Sequence, residues 1–140
     1  MTQEIGGFAA LGIHSAVLAA ISAVGYEEPS PIQAQAIPVI LGGHDMIGQA
    51  QTGTGKTAAF SIPLLQKMMK HENASVSPAR HPVRAIVLAP TRELAVQVAA
   101  NVKTYASKSN LRSAVVFGGM NMREQTVELK AGVEVLIATP

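Results

Sequence analysis

The chain is predicted to adopt an α/β fold, a parallel sheet flanked by helices on both faces. Short aliphatic runs alternate with longer stretches of helical periodicity, and one short run leads straight into a glycine-bearing phosphate-binding loop. Parallel neighbours need crossover connections, which are nearly always right-handed. Ser15 to Val24 reads as the first helix, with Ser15 near its N-cap and Gly25 as its stop. Ser30-Pro31 opens a second, where serine caps and proline takes the first helical position. Pro38 should bend or end that helix because proline lacks a donor N–H, and Pro63 repeats the problem after the phosphate loop, at a cost approaching ~3 kcal/mol each. Met46 to Gly48 is the expected strand before the loop, and Ala58 to Met69 the amphipathic helix after it. Val83 to Ala89, aliphatic apart from Arg84, suits a strand covered on both faces, and Ala114 to Phe117 and Val133 to Ala138 are shorter strands. Thr91 to Lys108 is a helix whose Leu94, Val98, Val102 and Tyr105 share a core-facing stripe, and Met122 to Lys130 is a shorter helix. Asn73 to Pro82 is expected to be the mobile loop.

The phosphate loop, Ala50-Gln51-Thr52-Gly53-Thr54-Gly55-Lys56-Thr57, carries the most specific chemistry. Gly53 and Gly55 let backbone N–H groups approach phosphate oxygens where a side chain would obstruct, and the following helix N-terminus adds partial positive charge. Lys56 reaches the outer phosphates as a point charge, and the Thr57 hydroxyl supplies one ligand to the Mg²⁺ that bridges them. The general pattern begins with glycine where this chain has Ala50. Phosphates sit beyond the carboxyl ends of parallel strands, so the phosphate loop, Pro90-Thr91-Arg92 and Gly118-Gly119 should share one rim of the sheet.

At 140 residues the chain has room for one domain, and 48% hydrophobic with 14% charged residues indicates a well-buried globule. A formal charge of +2 permits nucleic-acid binding without arguing for it. Absence of cysteine excludes disulfides and thiolate metal sites and fits a cytoplasmic setting. The histidines, His14, His44, His71 and His81, lack ligand spacing and read as surface or boundary residues. Phe8 to Gly25 carries no formal charge, but Gly12, His14, Ser15 and Ser22 interrupt it, so a soluble helix is expected rather than a membrane span.

Taken in order along nearly the whole chain, several stretches resemble the DEAD-box RNA helicases, in the first of their two RecA-like domains. Phe8, Gly25-Tyr26 and Pro29-Ser30-Pro31-Ile32-Gln33 are similar to that family's adenine-reading Q motif, and Ala50 to Thr57 to its motif I. Pro90-Thr91-Arg92-Glu93-Leu94 is similar to motif Ia, Gly118-Gly119 to the glycine pair, and Thr139-Pro140 to the opening of motif Ib. The resemblance implies an adenine nucleotide, ATP with Mg²⁺, held by Phe8, Tyr26, Gln33 and the loop. It also implies RNA contacts at Pro90, Thr91, Arg92, Gly118, Gly119 and Thr139. Gln33 has a reading of its own: a carboxamide complements the donor and acceptor on adenine's N6 and N7 edge. Phe8 reads equally well as core, and Gly118 and Gly119 as a plain turn.

In the family, motif Ib continues, followed by an acidic Mg²⁺-binding motif and a second domain. The chain is therefore expected to be a partial RecA-like P-loop NTPase domain over residues 1–140, inactive alone, with exposed sheet edges that favour self-association. Asp45, ahead of the loop strand, does not stand where a metal-organising carboxylate belongs. Another nucleic-acid-translocating ATPase and a nucleotide-controlled RNA-binding module are the alternative readings.

Overall fold

The computed structural model describes residues 7–53, 55–119 and 121–140. Three parallel strands, β1 (Ala85–Leu88), β2 (Ser113–Val116) and β3 (Val135–Ala138), form a sheet in the order β1-β3-β2. Val135 stands opposite both Ala85 and Ser113, and Ala138 opposite both Leu88 and Val116. The helices are α1 (Ser15–Ala23), α2 (Pro31–Leu41), α3 (Lys56–Met68), α4 (Arg92–Tyr105) and α5 (Met122–Ala131). The α4 connection runs outward from β1 to β2 and the α5 connection runs back from β2 to β3. Two right-handed crossovers in opposite directions put α4 and α5 on opposite faces.

Strand alternation decides which side chains meet which helices. Ala85, Val87, Val115, Val135 and Ile137 join the main core with Val98 and Val102 of α4, Ile62 and Leu65 of α3, and Val17 and Ile21 of α1. On the opposite face Ala114 of β2 is buried, whereas Ile86 and Leu88 of β1 are 64% and 68% exposed. The expectation of a β1 covered on both faces is thus corrected, because α5 packs on β2, two strands away.

The strand expected at Met46 to Gly48 does not form, and Ile47 is 92% exposed. So short a run becomes a strand only when a neighbour takes its backbone N–H and C=O groups. Among the described residues β1 pairs with β3 alone. The helices do not stop at their prolines: α2 continues past Pro38 and α3 past Pro63. In α3, Ile62 and Leu65 are fully buried beside the proline. Together they contribute about 3–6 kcal/mol, which offsets the ~3 kcal/mol cost of proline. Around Pro38, Ala34 is exposed, so the carbonyl left without its helical partner lies on the solvent side.

Helix α1 is capped by His14, not Ser15: the His14 Nδ1 accepts from the Ala16 N–H at 3.1 Å. The Gln66 carboxamide of α3 ties down the same turn, accepting from the His14 N–H at 2.5 Å and donating to the Gly12 carbonyl at 3.3 Å. Helix α4 follows the predicted stripe at Val98, Val102 and Tyr105, with Ala95 added, while Leu94 is 37% exposed.

Asn73 to Pro82 is fastened rather than loose, and His81 is not a surface residue. The Asn73 Nδ2 donates to the Arg80 carbonyl at 2.9 Å, and its Oδ1 accepts from the Ser75 N–H at 3.1 Å. His81 and Glu134 are buried together, with Nδ1 2.5 Å from Oε1. The other ring nitrogen of His81 stands 2.6 Å from the Ser75 carbonyl oxygen, and the Glu134 Oε2 accepts from the Arg112 N–H at 2.8 Å. One buried pair thereby joins the loop to the entries of β2 and β3. Removing one partner of such a pair strands the other without water, so His81→Ala should lower the unfolding free energy by about 3–5 kcal/mol. Exposed His44→Ala should change it by less than about 0.5 kcal/mol, and urea denaturation of both variants provides the check.

Candidate nucleotide and nucleic-acid sites

A cavity of about 1140 Å³ opens beside the amino end of α3, with Tyr26, Gln33, Gly53, Lys56 and Thr57 on its wall. The helix begins at Lys56, and its N-cap, Gly55, has φ +83° and no side-chain cap. No acidic residue occupies the first turn, so the helix dipole and the exposed Lys56 add their positive charge at one place. The left-handed turn at Gly55 is required twice over. An L-residue disfavours that φ, and a Cβ there would overlap the Gln33 carboxamide nitrogen. Ala50 is half-buried, and Gln51, Thr52 and Gly53 are exposed; Thr54 lies outside the described residues.

Gln33 reaches this loop from the first turn of α2. Only 7% exposed, its Nε2 donates to the Gly55 carbonyl at 3.1 Å and its Oε1 accepts from the Ser30 N–H at 2.9 Å. The second bond belongs to a capping box between Ser30 and Gln33, a Ser-x-x-Gln pattern legible in the sequence, whereas the bond to Gly55 is not. A carboxamide offers two N–H donors and two acceptor lone pairs. One of each is engaged, which leaves one of each for a ligand in the cavity that Gln33 lines.

Tyr26 is 51% exposed on the cavity wall. Tyr105, assigned from the sequence to the core stripe, lines the same cavity, and its hydroxyl pKa is pushed up to about 12 by burial and then by the charge and hydrogen bond of Tyr26. Phe8 stands apart, 3% exposed within the core cluster and absent from the cavity wall. Among the described residues no group of three or more His, Cys, Asp or Glu side chains could hold a metal ion, and Asp45 is exposed. The Thr57 hydroxyl, half-buried on the cavity wall, is an oxygen of the kind that could ligate Mg²⁺.

The second set of predicted residues gathers on the rim at the carboxyl ends of the strands. Pro90, Thr91 and Arg92 follow β1, Gly118 and Gly119 follow β2, and Thr139 follows β3. The Thr91 hydroxyl caps α4, accepting from the Leu94 N–H at 3.2 Å, and Arg92 opens that helix. A Cβ built on Gly119, which has φ +83°, would stand 2.8 Å from the Arg92 Nη1, so the guanidinium lies against this glycine's backbone. Among the described residues nothing lies within 4 Å of a Cβ built on Gly118. The Thr139 N–H donates to the Val116 carbonyl at 3.1 Å, which binds the third loop to the second. Gln125 of α5 secures the approach from below, bonding both the N–H and the C=O of Phe117 at 3.2 and 3.1 Å. Among the described residues no helix is long and apolar enough to cross a membrane.

A parallel sheet with a phosphate loop opening a helix on its core face defines a RecA-like nucleotide-binding domain of the P-loop class. The model of the DEAD/DEAH box helicase family matches residues 30–140, and the chain belongs to that family. It is 45% identical over 138 residues to DEAD-box ATP-dependent RNA helicase 24 of Oryza sativa subsp. japonica, covering 99% of this chain and 18% of the relative. It is 42% identical over 129 residues to the probable ATP-dependent RNA helicase DDX46 of Homo sapiens, covering 92% of this chain and 12% of that protein. Among solved structures, the RNA helicase Prp28 from Chaetomium thermophilum bound to ADP superposes with a TM-score of 0.83 at 37% identity, over 96% of this chain and 32% of that one. The chain thus spans under a fifth of the length of these curated relatives.

Gly55→Ala tests the loop geometry. The left-handed conformation alone should cost about 1–2 kcal/mol, and displacement of Gln33 adds to it. The variant should melt lower and lose triphosphate affinity by tenfold or more, measured by calorimetry, whereas Gly118→Ala, uncrowded by any of the described residues, should melt like the parent.

Proposed function

We propose that this chain is the ATP-holding wall of an ATP-dependent RNA helicase, a protein that as a whole binds RNA, hydrolyses ATP and locally separates short duplexes. The observation that carries the reading is the half-used Gln33 carboxamide, fixed between Ser30 and Gly55 at the edge of the cavity. Its remaining N–H faces N7 of adenine and its remaining lone pair the N6 amino group; guanine presents the wrong polarity. Tyr26 stacks on the base, and Lys56 with the backbone of Gly53 and Gly55 holds the phosphates. Magnesium, when bound, neutralises charge on the outer phosphates, and the Thr57 hydroxyl holds it. Arg92 and the Thr91 loop, with Gly118, Gly119 and Thr139, carry the RNA backbone on the adjoining rim, where close approach to glycine is open.

The proposal extends to what this chain does alone. Phosphoryl transfer depends on positioned charge, and the described residues place no carboxylate cluster by the phosphate loop. RNA-stimulated ATP turnover is therefore proposed to be absent from the purified chain. The bare β1 face, with Ile86 and Leu88 exposed and no charge along the strand, supports self-association. The lack of cysteine suits a cytoplasmic setting.

Competition against a fluorescent ATP analogue tests the assignment. ATP should bind more tightly than GTP by about 5- to 150-fold, the equivalent of 1–3 kcal/mol for a complementary pair of bonds. Gln33→Ala should abolish that preference, and Lys56→Ala should weaken both nucleotides. Equal affinity of the unaltered chain for ATP and GTP would contradict the adenine reading.

A further inference from the structure

At the far end of α3 lies a surface groove of about 650 Å³ with an unusual charge balance. Lys67 comes from the last helical turn, Lys70 and His71 from the residues just beyond it, and Arg84 from the entry to β1. Lys67, Lys70 and Arg84 are exposed, and among the described residues no carboxylate oxygen lies within 4.0 Å of them. The nearby Glu72 is otherwise engaged, accepting from the Asn110 N–H at 2.7 Å. The pKa of His71 is lowered, first by burial and then by Arg84 and Lys70, so their positive field converges there. A lysine in the last turn of a helix is accounted for by the helix dipole. Arg84, arriving from a different element, is not.

Helix α3 has 13 residues and so runs about 20 Å at 1.5 Å per residue. The groove therefore lies well away from Lys56 and from the rim at the carboxyl ends of the strands. Apart from Met68 and Val83 its lining is polar, and it contains no Phe, Tyr or Trp on which a base could stack. The geometry points to a second nucleic-acid contact, in which Lys67, Lys70 and Arg84 hold the phosphodiester backbone of an RNA strand without reading its bases. This inference rests on the RNA-binding reading above and adds to it a surface remote from the rim. Gathering cations from two elements raises their mutual repulsion, and a polyanion relieves it.

Anisotropy of a labelled single-stranded oligouridylate, titrated with the whole chain over a range of salt, tests the contact. In Lys70→Gln/Arg84→Gln the slope of log affinity against log salt should be shallower by about 1.4, since each phosphate contact on a single strand contributes about 0.7. Low-salt affinity should fall several-fold. Both side chains are exposed, and circular dichroism will show the fold retained. Arg92→Ala serves as the reference for the rim. If Arg92→Ala weakens binding while the double variant keeps the parental slope and affinity, the groove is overturned and the proposed function stands. If the unaltered chain does not bind the oligouridylate, both fall. Binding of labelled polyglutamate that depends on Lys70 and Arg84, alongside RNA binding that does not, would assign the groove to an acidic polypeptide and overturn the inference.

Discussion

One carboxamide ties together the two helix starts that border the main cavity. The polar atoms of Gln33 bond to Ser30, three residues away, and to Gly55, 22 residues away, so the start of α2 and the start of α3 are set by the same planar group. The Gly55 carbonyl also accepts from the Ala59 N–H at 3.1 Å and so closes the first turn of α3. A side chain that is almost fully buried must satisfy its polar atoms locally, and here the partners are the capping position of one helix and the phosphate loop of another. The loop is thereby held in its left-handed turn by the protein's own hydrogen bonds, and the proposed function draws on that order, since a preformed site lowers the ordering cost of binding.

The second constraint is the sheet. Its middle strand, β3, registers β1 and β2 to the same residues, so the loops that follow all three strands end at one level. Arg92 against Gly119, and Thr139 against Val116, are consequences of that register. The cavity and the rim are positioned independently, the first by α2 and α3 and the second by the strands. The main core joins them, since Ile62 and Leu65 of α3 pack in the same cluster as Val135 and Ile137 of β3.

How much of this could be read from the chain depended on the range of the interaction. The cap at Ser30-Pro31, the helix after the glycine-bearing loop and the α4 stripe at Val98, Val102 and Tyr105 are local patterns, and each appears within a residue or two of its predicted place. The parallel sheet flanked by helices followed from the alternation of elements, and the RecA-like class from the family resemblance of the ordered motifs. What the sequence concealed was tertiary. His81 and Glu134 are 53 residues apart, and no spacing rule links them, yet their pairing turns an apparently loose loop into a fastened one. Pro63 counted as a cost within the predicted helix because that cost is local, while the burial of Ile62 and Leu65 that offsets it is not. Met46 to Gly48 had the composition of a strand without a neighbouring ladder to pair with, and Phe8 had an aromatic ring suited to either a site or a core and went to the core.

Backbone amide exchange and relaxation, measured by NMR on the nucleotide-free chain and on Gln33→Met, test the central claim most directly, because methionine keeps the size of the side chain and removes its hydrogen bonds. If Gln33 fixes the loop, the Ser30 amide will exchange faster in the variant and the amides of Gly53 and Gly55 will become more mobile, while those of β3 remain unchanged. Identical exchange at Ser30 and identical mobility through the loop in the two proteins would contradict it.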